Sequence, residues 1–270
     1  SRPGLSNVEM FQAMERGDLK AIWIAGANPM VSLPDLHRAR RGFSRSQLVV
    51  VNELYHPTET SRIADVVLPT AQWGEKDWTG TNGERRVSYS RKLWDAPGEC
   101  RPDWDVFSRF ARRMGFAGFD YRTSSEVWDE YIELTRDRPC DLAGMASTRM
   151  RQGQSLQWPC PDEKHSGTER LYLDRNFPTP DGRAVFVPRD HRDPPDTPDA
   201  DFPFLLTSGR VYVHWLSLTR TGKVPKLIGA EPKAFVEIHP EDARELGVAE
   251  GEAVQLTTRR GTIQLPARLA

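Results

Sequence analysis

Apolar positions in the first third of the chain come in short dense runs separated by polar turns. Val8, Met10, Phe11 and Met14 fall at the spacings of one helix face and Gly17 stops the run, so a helix is predicted over residues 7–16. Lys20-Ala-Ile-Trp-Ile-Ala25 then reads as a buried strand, closed by the turn-forming Gly26-Ala-Asn-Pro29. Residues 35–41, with Leu36 and Ala39, predict a short basic helix, and Gln47-Leu-Val-Val-Val51 a second buried strand ending at Asn52-Glu53. Thr58-Glu-Thr60 looks like the start of a helix, and Ala64-Asp-Val-Val-Leu-Pro69 like a third strand stopped by proline. Strand, helix, strand, helix, strand predicts a parallel α/β sheet with right-handed crossovers. An amphipathic helix over 103–114 carries Trp104, Phe107, Phe110, Ala111 and Met114.

The pattern loosens after that. A helix is predicted over 124–135, capped by Ser124 or Ser125, and residues 136–182 are rich in Gly, Pro and polar side chains. Residues 188–203 hold five prolines and five aspartates, the composition of a linker. Beyond it the pattern turns β-rich. Strands are predicted at 204–206, 234–239, 253–257 and 262–265, with a short helix over 241–246 stopped by Gly247 and a hairpin turn at Gly261. Residues 266–270 read as the start or middle of a further strand. The expected organisation is a partial α/β domain over 1–118, an irregular connecting region over 119–200, and a β-rich domain over 201–270.

Composition narrows the function classes. Lys and Arg number 37 against 38 Asp and Glu, a net charge of −1, so there is no global electrostatic case for nucleic acid. Eight Trp and eleven Phe argue against a disordered chain. No apolar run approaches the roughly 20 residues of a membrane-spanning helix. The chain opens Ser-Arg-Pro-Gly, with no targeting peptide visible. Cys100, Cys140 and Cys160 lie far apart without a CxxC pair, against a disulfide scaffold and against a self-contained zinc or iron–sulfur site. A soluble protein of a reducing, cytoplasmic compartment is expected.

Three stretches carry candidate chemistry. Gly26, Asn28 and Pro29 follow a buried strand, where the loops of a doubly wound sheet bind ligands and a glycine lets backbone N–H groups approach phosphate. An ordinary strand-to-helix turn has the same sequence. Glu53, ending the next strand, is placed to accept from a ribose hydroxyl or a base edge, or is a solvated loop carboxylate. Asn82-Gly-Glu-Arg-Arg86, preceded by Gly74-Glu-Lys-Asp77, makes a polar loop able to reach an anionic cofactor, or a surface charge cluster. Thr207-Ser-Gly-Arg210, His214-Trp215 and Thr219-Arg-Thr-Gly-Lys223 gather hydroxyls, glycine and Arg within sixteen residues or so, which favours a small-molecule anion such as a pyrophosphate. The histidines lack metal-ligand spacing, there is no GxSxG or GxxxxGK[ST] motif, and Cys160 reads as a buried structural thiol.

Taken in order, Lys20-Ala-Ile-Trp-Ile-Ala-Gly-Ala-Asn-Pro29, Thr58-Glu-Thr60, Ala64-Asp-Val-Val-Leu-Pro69, Thr81-Asn-Gly-Glu-Arg-Arg86 and Arg101-Pro-Asp-Trp104 resemble the molybdopterin oxidoreductase family. Leu156-Gln-Trp-Pro-Cys-Pro161, Gly167-Thr-Glu-Arg-Leu171 and Phe177-Pro-Thr-Pro-Asp-Gly-Arg-Ala184 are similar to its assimilatory nitrate reductases, with formate dehydrogenases close behind. The resemblance implies a partial doubly wound parallel sheet followed by a truncated, double-psi barrel-like domain. It implies a bis-molybdopterin guanine dinucleotide cofactor with molybdenum, and reduction of nitrate to nitrite with electrons from a donor protein or reductase subunit. Gly26, Asn28 and Pro29 match the glycine–asparagine–proline loop of one dinucleotide site. Thr207, Gly209, Arg210, Trp215, Thr221 and Gly222 occupy motif positions of the domain that closes over the pterins. Trp78, Gly80 and Leu216 depart from the family pattern. The family's four-iron four-sulfur centre and its molybdenum ligand belong to a part that precedes these residues, so the chain is expected to be an internal piece of a larger catalytic subunit, inactive alone. A short, non-catalytic cofactor-binding protein is the alternative.

Overall fold

Phe11 and Met14 leave almost no surface exposed because the helix that carries them is fixed at both ends. The computed structural model describes residues 3–194 and 196–270; Pro195, one of the linker prolines, lies outside the described residues. Helix α1 (Asn7–Arg16) starts at a capping box in which Ser6 and Glu9 satisfy one another's backbone N–H, and ends at Gly17 in the left-handed region. Its apolar face packs on α3 (Leu36–Arg45), where Phe11 meets Phe43 edge-on at 5.2 Å between ring centroids. Strands β1 (Ala21–Ala25), β2 (Leu48–Glu53) and β3 (Val66–Pro69) form a parallel sheet in that order, with Ile24 opposite Val51 and Val51 opposite Val67. The short helix α2 (Pro29–Ser32) leads from β1 toward α3. Phe11, Met14, Ile24, Met30, Leu33, Ala39, Phe43, Val49 and Val51 make one buried cluster on this face.

The opposite face of the sheet is covered as well. Trp23 points away from Ile24, as strand alternation requires, and packs on Phe107 and Phe110 of a helix over 103–113, each at 4.8 Å. Its indole N–H donates to Asn52 Oδ1 at 2.8 Å, so the buried Asn52 is satisfied. Helices on both faces of a parallel sheet are the predicted α/β arrangement.

Residues 82–86, preceded by 74–77, were expected as a polar loop; residues 78–90 instead form a hairpin of β4 (Trp78–Thr81) and β5 (Arg86–Ser90), joined through residues 82–85. An Asn-Gly pair between alternating residues is a hairpin signal, here masked by the density of charge around it. Helix α4 (Asp103–Arg113) follows, then α5 (Ser124–Glu133), α6 (Ser147–Arg151) and β6 (Leu156–Gln157), which pairs with β5. The cap of α5 is Thr123, whose hydroxyl accepts from Glu126 N–H, rather than Ser124 or Ser125. A second buried cluster joins Val87 of the hairpin to Ile132, Leu142, Met145, Met150, Leu156 and Cys160. Much of the region lacks regular structure, yet it packs round the hairpin. Gly144 shows how closely: a Cβ there would stand 2.0 Å from the Asp162 carbonyl oxygen.

The chain forms two compact units, one ending at Val187 and the other spanning Pro188–Ala270. In the second, α7 (Pro225–Ala230) precedes β7 (Val236–Ile238), α8 (Pro240–Leu246), β8 (Ala253–Thr258) and β9 (Gly261–Leu269). The predicted strand at 204–206 is not formed. Phe204, Leu205 and Leu206 stay 59%, 66% and 54% exposed, and among the described residues no ladder lies beside them to take up their backbone groups. Residues 266–269 continue β9 instead of opening another strand. The β8–β9 turn is Arg259-Arg260, with Gly261 the first strand residue. These two arginines pair with Asp196 and Asp199 and so tie the hairpin tip to the proline-rich stretch.

Candidate dinucleotide-binding loops

At the carboxyl end of β1 the chain turns through Gly26, whose φ of 63° lies in the left-handed region. Gly26 and Ala27 are exposed, and nothing lies within 4 Å of where a Cβ on Gly26 would stand. Asn28 behaves differently. It is 7% exposed, and its side chain is used up inside the protein. Its Nδ2 donates to Glu59 at 2.8 Å, while Oδ1 accepts from Thr60 N–H at 3.2 Å and from the Thr60 hydroxyl at 2.6 Å. The same hydroxyl accepts from Met30 N–H at 3.1 Å. Thr58-Glu-Thr60, read as a helix start, is thus the other half of a clamp that sets the loop, and only a 3₁₀ turn over 61–63 follows it. Pro29 is buried at the first position of α2.

Glu53 has both carboxylate oxygens engaged nearby. Oε1 accepts from Leu54 N–H at 2.9 Å and Tyr55 N–H at 3.4 Å, and Oε2 from the Thr58 hydroxyl at 3.3 Å. The carboxylate shapes its own loop.

The Asn82 loop also turns inward. Asn82 Oδ1 accepts from Glu84 N–H and Arg86 N–H at 3.0 and 3.1 Å, closing the hairpin. Arg85 donates to the carbonyls of Trp158, Thr168 and Glu169 and lies over the Trp158 ring; Arg86 donates to Ser155 O and Gln157 Oε1. Both guanidiniums therefore fasten the hairpin to the 155–169 segment. Cys160 is fully buried, and desolvation pushes its thiol pKa up.

In the second unit, Thr207, Gly209 and Arg210 lie in an exposed stretch without regular structure, and a Cβ on Gly209 would meet nothing within 4 Å. The Arg210 guanidinium sits 5.4 Å from the centre of the Trp215 ring. Thr221 Oγ accepts from Trp215 N–H at 3.1 Å and lies 3.2 Å from His214 Nδ1. Gly222 N–H donates to Leu218 O, and a Cβ there would come 3.2 Å from Leu218 Cβ, so the turn is drawn tight at that point. Sequence reasoning did not find the supporting partners Glu59 and Glu231. Glu59 stood in a motif, Thr58-Glu-Thr60, read as a helix start and as part of the family resemblance with no role assigned to the carboxylate, and Glu231 stands in no motif.

The exposed turn at Gly26 and the exposed stretch at Gly209 suit an anionic dinucleotide, which needs backbone N–H groups and space at a strand end or an open loop, with a cation such as Arg210 nearby. The sequence pattern of the family described as "Molybdopterin oxidoreductase" matches residues 1–113, and that of a molybdopterin dinucleotide-binding domain matches residues 204–270. A nitrate reductase of Synechocystis sp. is 41% identical over 97% of this chain, and a periplasmic nitrate reductase of Desulfovibrio desulfuricans 39% over 99%. A formate dehydrogenase subunit alpha of Methanocaldococcus jannaschii is 36% identical over 98%. The chain spans 38% of the length of each of these three relatives. Acetylene hydratase from Pelobacter acetylenicus has the same fold, with a TM-score of 0.76 at 22% identity, over 97% of this chain and 37% of that one. Among the described residues no helix is long and apolar enough to cross a membrane. With a matching pattern at each end and similarity running through the region between them, the chain belongs to the molybdopterin oxidoreductase family and carries a domain that binds the bis-molybdopterin guanine dinucleotide form of the molybdenum cofactor.

Proposed function

We propose that these residues are the cofactor-clamping part of a molybdenum enzyme that reduces nitrate to nitrite. The observation that carries the reading is a pair of open glycines, Gly26 in its turn and Gly209 in irregular chain, each exposed and each with empty space where a side chain would otherwise stand. Backbone N–H groups of Gly26 and Ala27 are the donors for one guanine dinucleotide, held in place by the Asn28–Thr60 clamp. Thr207, Gly209, Arg210, Trp215, Thr221 and Gly222 form the second binding stretch, in which Arg210 supplies the positive charge. When bound, the molybdenum cofactor supplies two-electron chemistry in which nitrate gives up one oxygen and leaves as nitrite, with electrons from a donor protein or reductase subunit. The chain's own residues bind and orient.

Nitrate is favoured over formate by the two nitrate reductases that align over nearly the whole chain at 41% and 39% identity. Formate oxidation is the second reading, supported by the 36% identity to a formate dehydrogenase subunit. Free cysteines, one of them exposed at Cys140, support a reducing, cytoplasmic setting. The test is the native polypeptide that contains these residues, assayed on nitrate and on formate with an artificial electron carrier, with molybdenum and guanine nucleotide measured on the same sample. Nitrite formation with both components present is the expected result. Formate turnover without nitrite would transfer the reading to the second substrate, and absence of molybdenum would end both.

A further inference from the structure

Within residues 204–222 one side chain is buried, that of His214 at 7% exposure. Its Nε2 lies 2.8 Å from the carbonyl oxygen of Glu231 and its Nδ1 3.2 Å from Thr221 Oγ. A carbonyl only accepts, so Nε2 carries a proton, and in the neutral ring Nδ1 accepts. The Thr221 hydroxyl then donates to Nδ1, leaving its oxygen to accept the Trp215 N–H. In the neutral ring this ordering satisfies every group, running from Trp215 through Thr221 and His214 to Glu231, and neither ring nitrogen is left for a ligand. Glu231 is itself fixed: its carboxylate takes both contacts from Arg268 of β9, at 3.0 and 3.2 Å, and the Arg268 guanidinium lies over the Phe235 ring.

The bridge closes a tight loop. Between His214 and Thr221, Leu216 and Leu218 adopt φ values of 42° and 64°, left-handed conformations that bulky side chains avoid unless the surroundings impose them. Trp215, 52% exposed, leaves the loop beside the buried imidazole and carries Arg210 over its ring.

We propose that His214 is a positioning residue for the cofactor. Its neutral Nε2–H imidazole fastens the 210–222 loop to β9 through Glu231, so that Trp215 and Arg210 face the anionic, heteroaromatic group as one flat cationic surface. His214 does not touch that group. The inference rests on the function proposed above and adds the device that holds the second loop in shape.

The experiment uses the native holoenzyme with His214→Phe, Thr221→Val and Thr221→Ser. Amide hydrogen exchange and molybdenum and guanine nucleotide content are read on each, and imidazole nitrogen shifts on the unsubstituted protein. The expected result has four parts. The imidazole is in the Nε2–H tautomer, and H214F and T221V raise exchange about tenfold over 211–222 while β8 and β9 exchange as before. The same two variants lose cofactor several-fold, and T221S keeps both properties. Unchanged exchange and cofactor content in H214F would overturn the positioning role. So would equal losses in T221S and T221V, or a rise in exchange across β8 and β9 in T221V. Lack of molybdenum and guanine nucleotide in the unsubstituted enzyme would overturn the functional reading itself, with the loop's exchange pattern intact.

Discussion

The chain at Gly26 and the chain at Gly209 offer the same thing, open backbone, and are held in opposite ways. The turn at Gly26 grows out of the sheet, with fully buried Val51 beside β1 and the Asn28 clamp behind it. Most of its fixing comes from packing that the fold needs anyway. The stretch at Gly209 is exposed and irregular, and the loop that follows it is tied by a single buried histidine and a threonine hydroxyl. A preformed loop costs little to bind through, whereas a loosely supported one needs its own lock if binding is not to be spent on ordering it.

The largest blow to this contrast is Asn28→Ala. It strands the Thr60 N–H and hydroxyl in the interior and removes the donor to Glu59, and about 3 kcal/mol of stability should be lost, seen as a lower urea midpoint of the first unit. A loss below about 1 kcal/mol would mean that the clamp is incidental. Val51→Ala comes next, at roughly 2 kcal/mol for two buried methyl-sized groups and the cavity left behind. The glycine exchange sharpens the comparison by sign. Gly26→Ala should destabilise by about 1 kcal/mol through its left-handed φ, while Leu218→Gly should relieve strain and stabilise the second unit by roughly 0.5 kcal/mol after the added chain entropy. Effects of the same sign would erase the distinction.

The smallest effect belongs to Arg259→Ala at the β8–β9 tip. Asp196 is held below the usual carboxylate range by the Arg260 hydrogen bond and the charges of Arg259 and Arg260, and Asp199 by Phe202 N–H and Arg259. A carboxylate depressed on folding stabilises above its unfolded pKa and loses that contribution as pH falls through the folded value. Melting of the second unit should therefore drop slightly on acidification from about pH 5 to pH 3, near and below the ordinary Asp value of about 3.9. R259A should flatten this dependence, and added salt should mimic the substitution. An unaltered acid profile in R259A would show that the tip is free of the aspartates.

The α/β core was legible in the sequence because its strands are uninterrupted apolar runs and its helices carry caps and stops. Val49 and Val51 in β2, Gly17 after α1 and Gly247 after α8 stand where the pattern put them. The hairpin at 78–90 was not legible, since its strands are short and half-exposed and its turn is crowded by charge. Residues 204–206 fail the other way: three apolar residues have strand propensity, but a strand exists only when another backbone lies alongside. The binding loops were found as glycine and polar clusters, while the side chains that hold them were not. Asn28 and His214 look like ligand contacts by residue type, and only the fold reveals that their polar atoms are already engaged by Thr60, Glu59, Thr221 and Glu231.

Strand β9 has a consequence for how the second unit bears load. It is shared, with β8 antiparallel along Gly261–Pro266 and β7 parallel along Ala267–Leu269, so the far half of one strand anchors what the near half receives. A force drawing on the Arg259-Arg260 tip along the strand axis moves β8 and β9 together, acts in shear across the rungs of β9 to β7 and is passed down the same backbone to Arg268 and, through Glu231, to the carbonyl that His214 grips. Pulled by the tip in a single-molecule experiment, this unit should therefore yield in one event, with the 210–222 loop released in the same step as the hairpin.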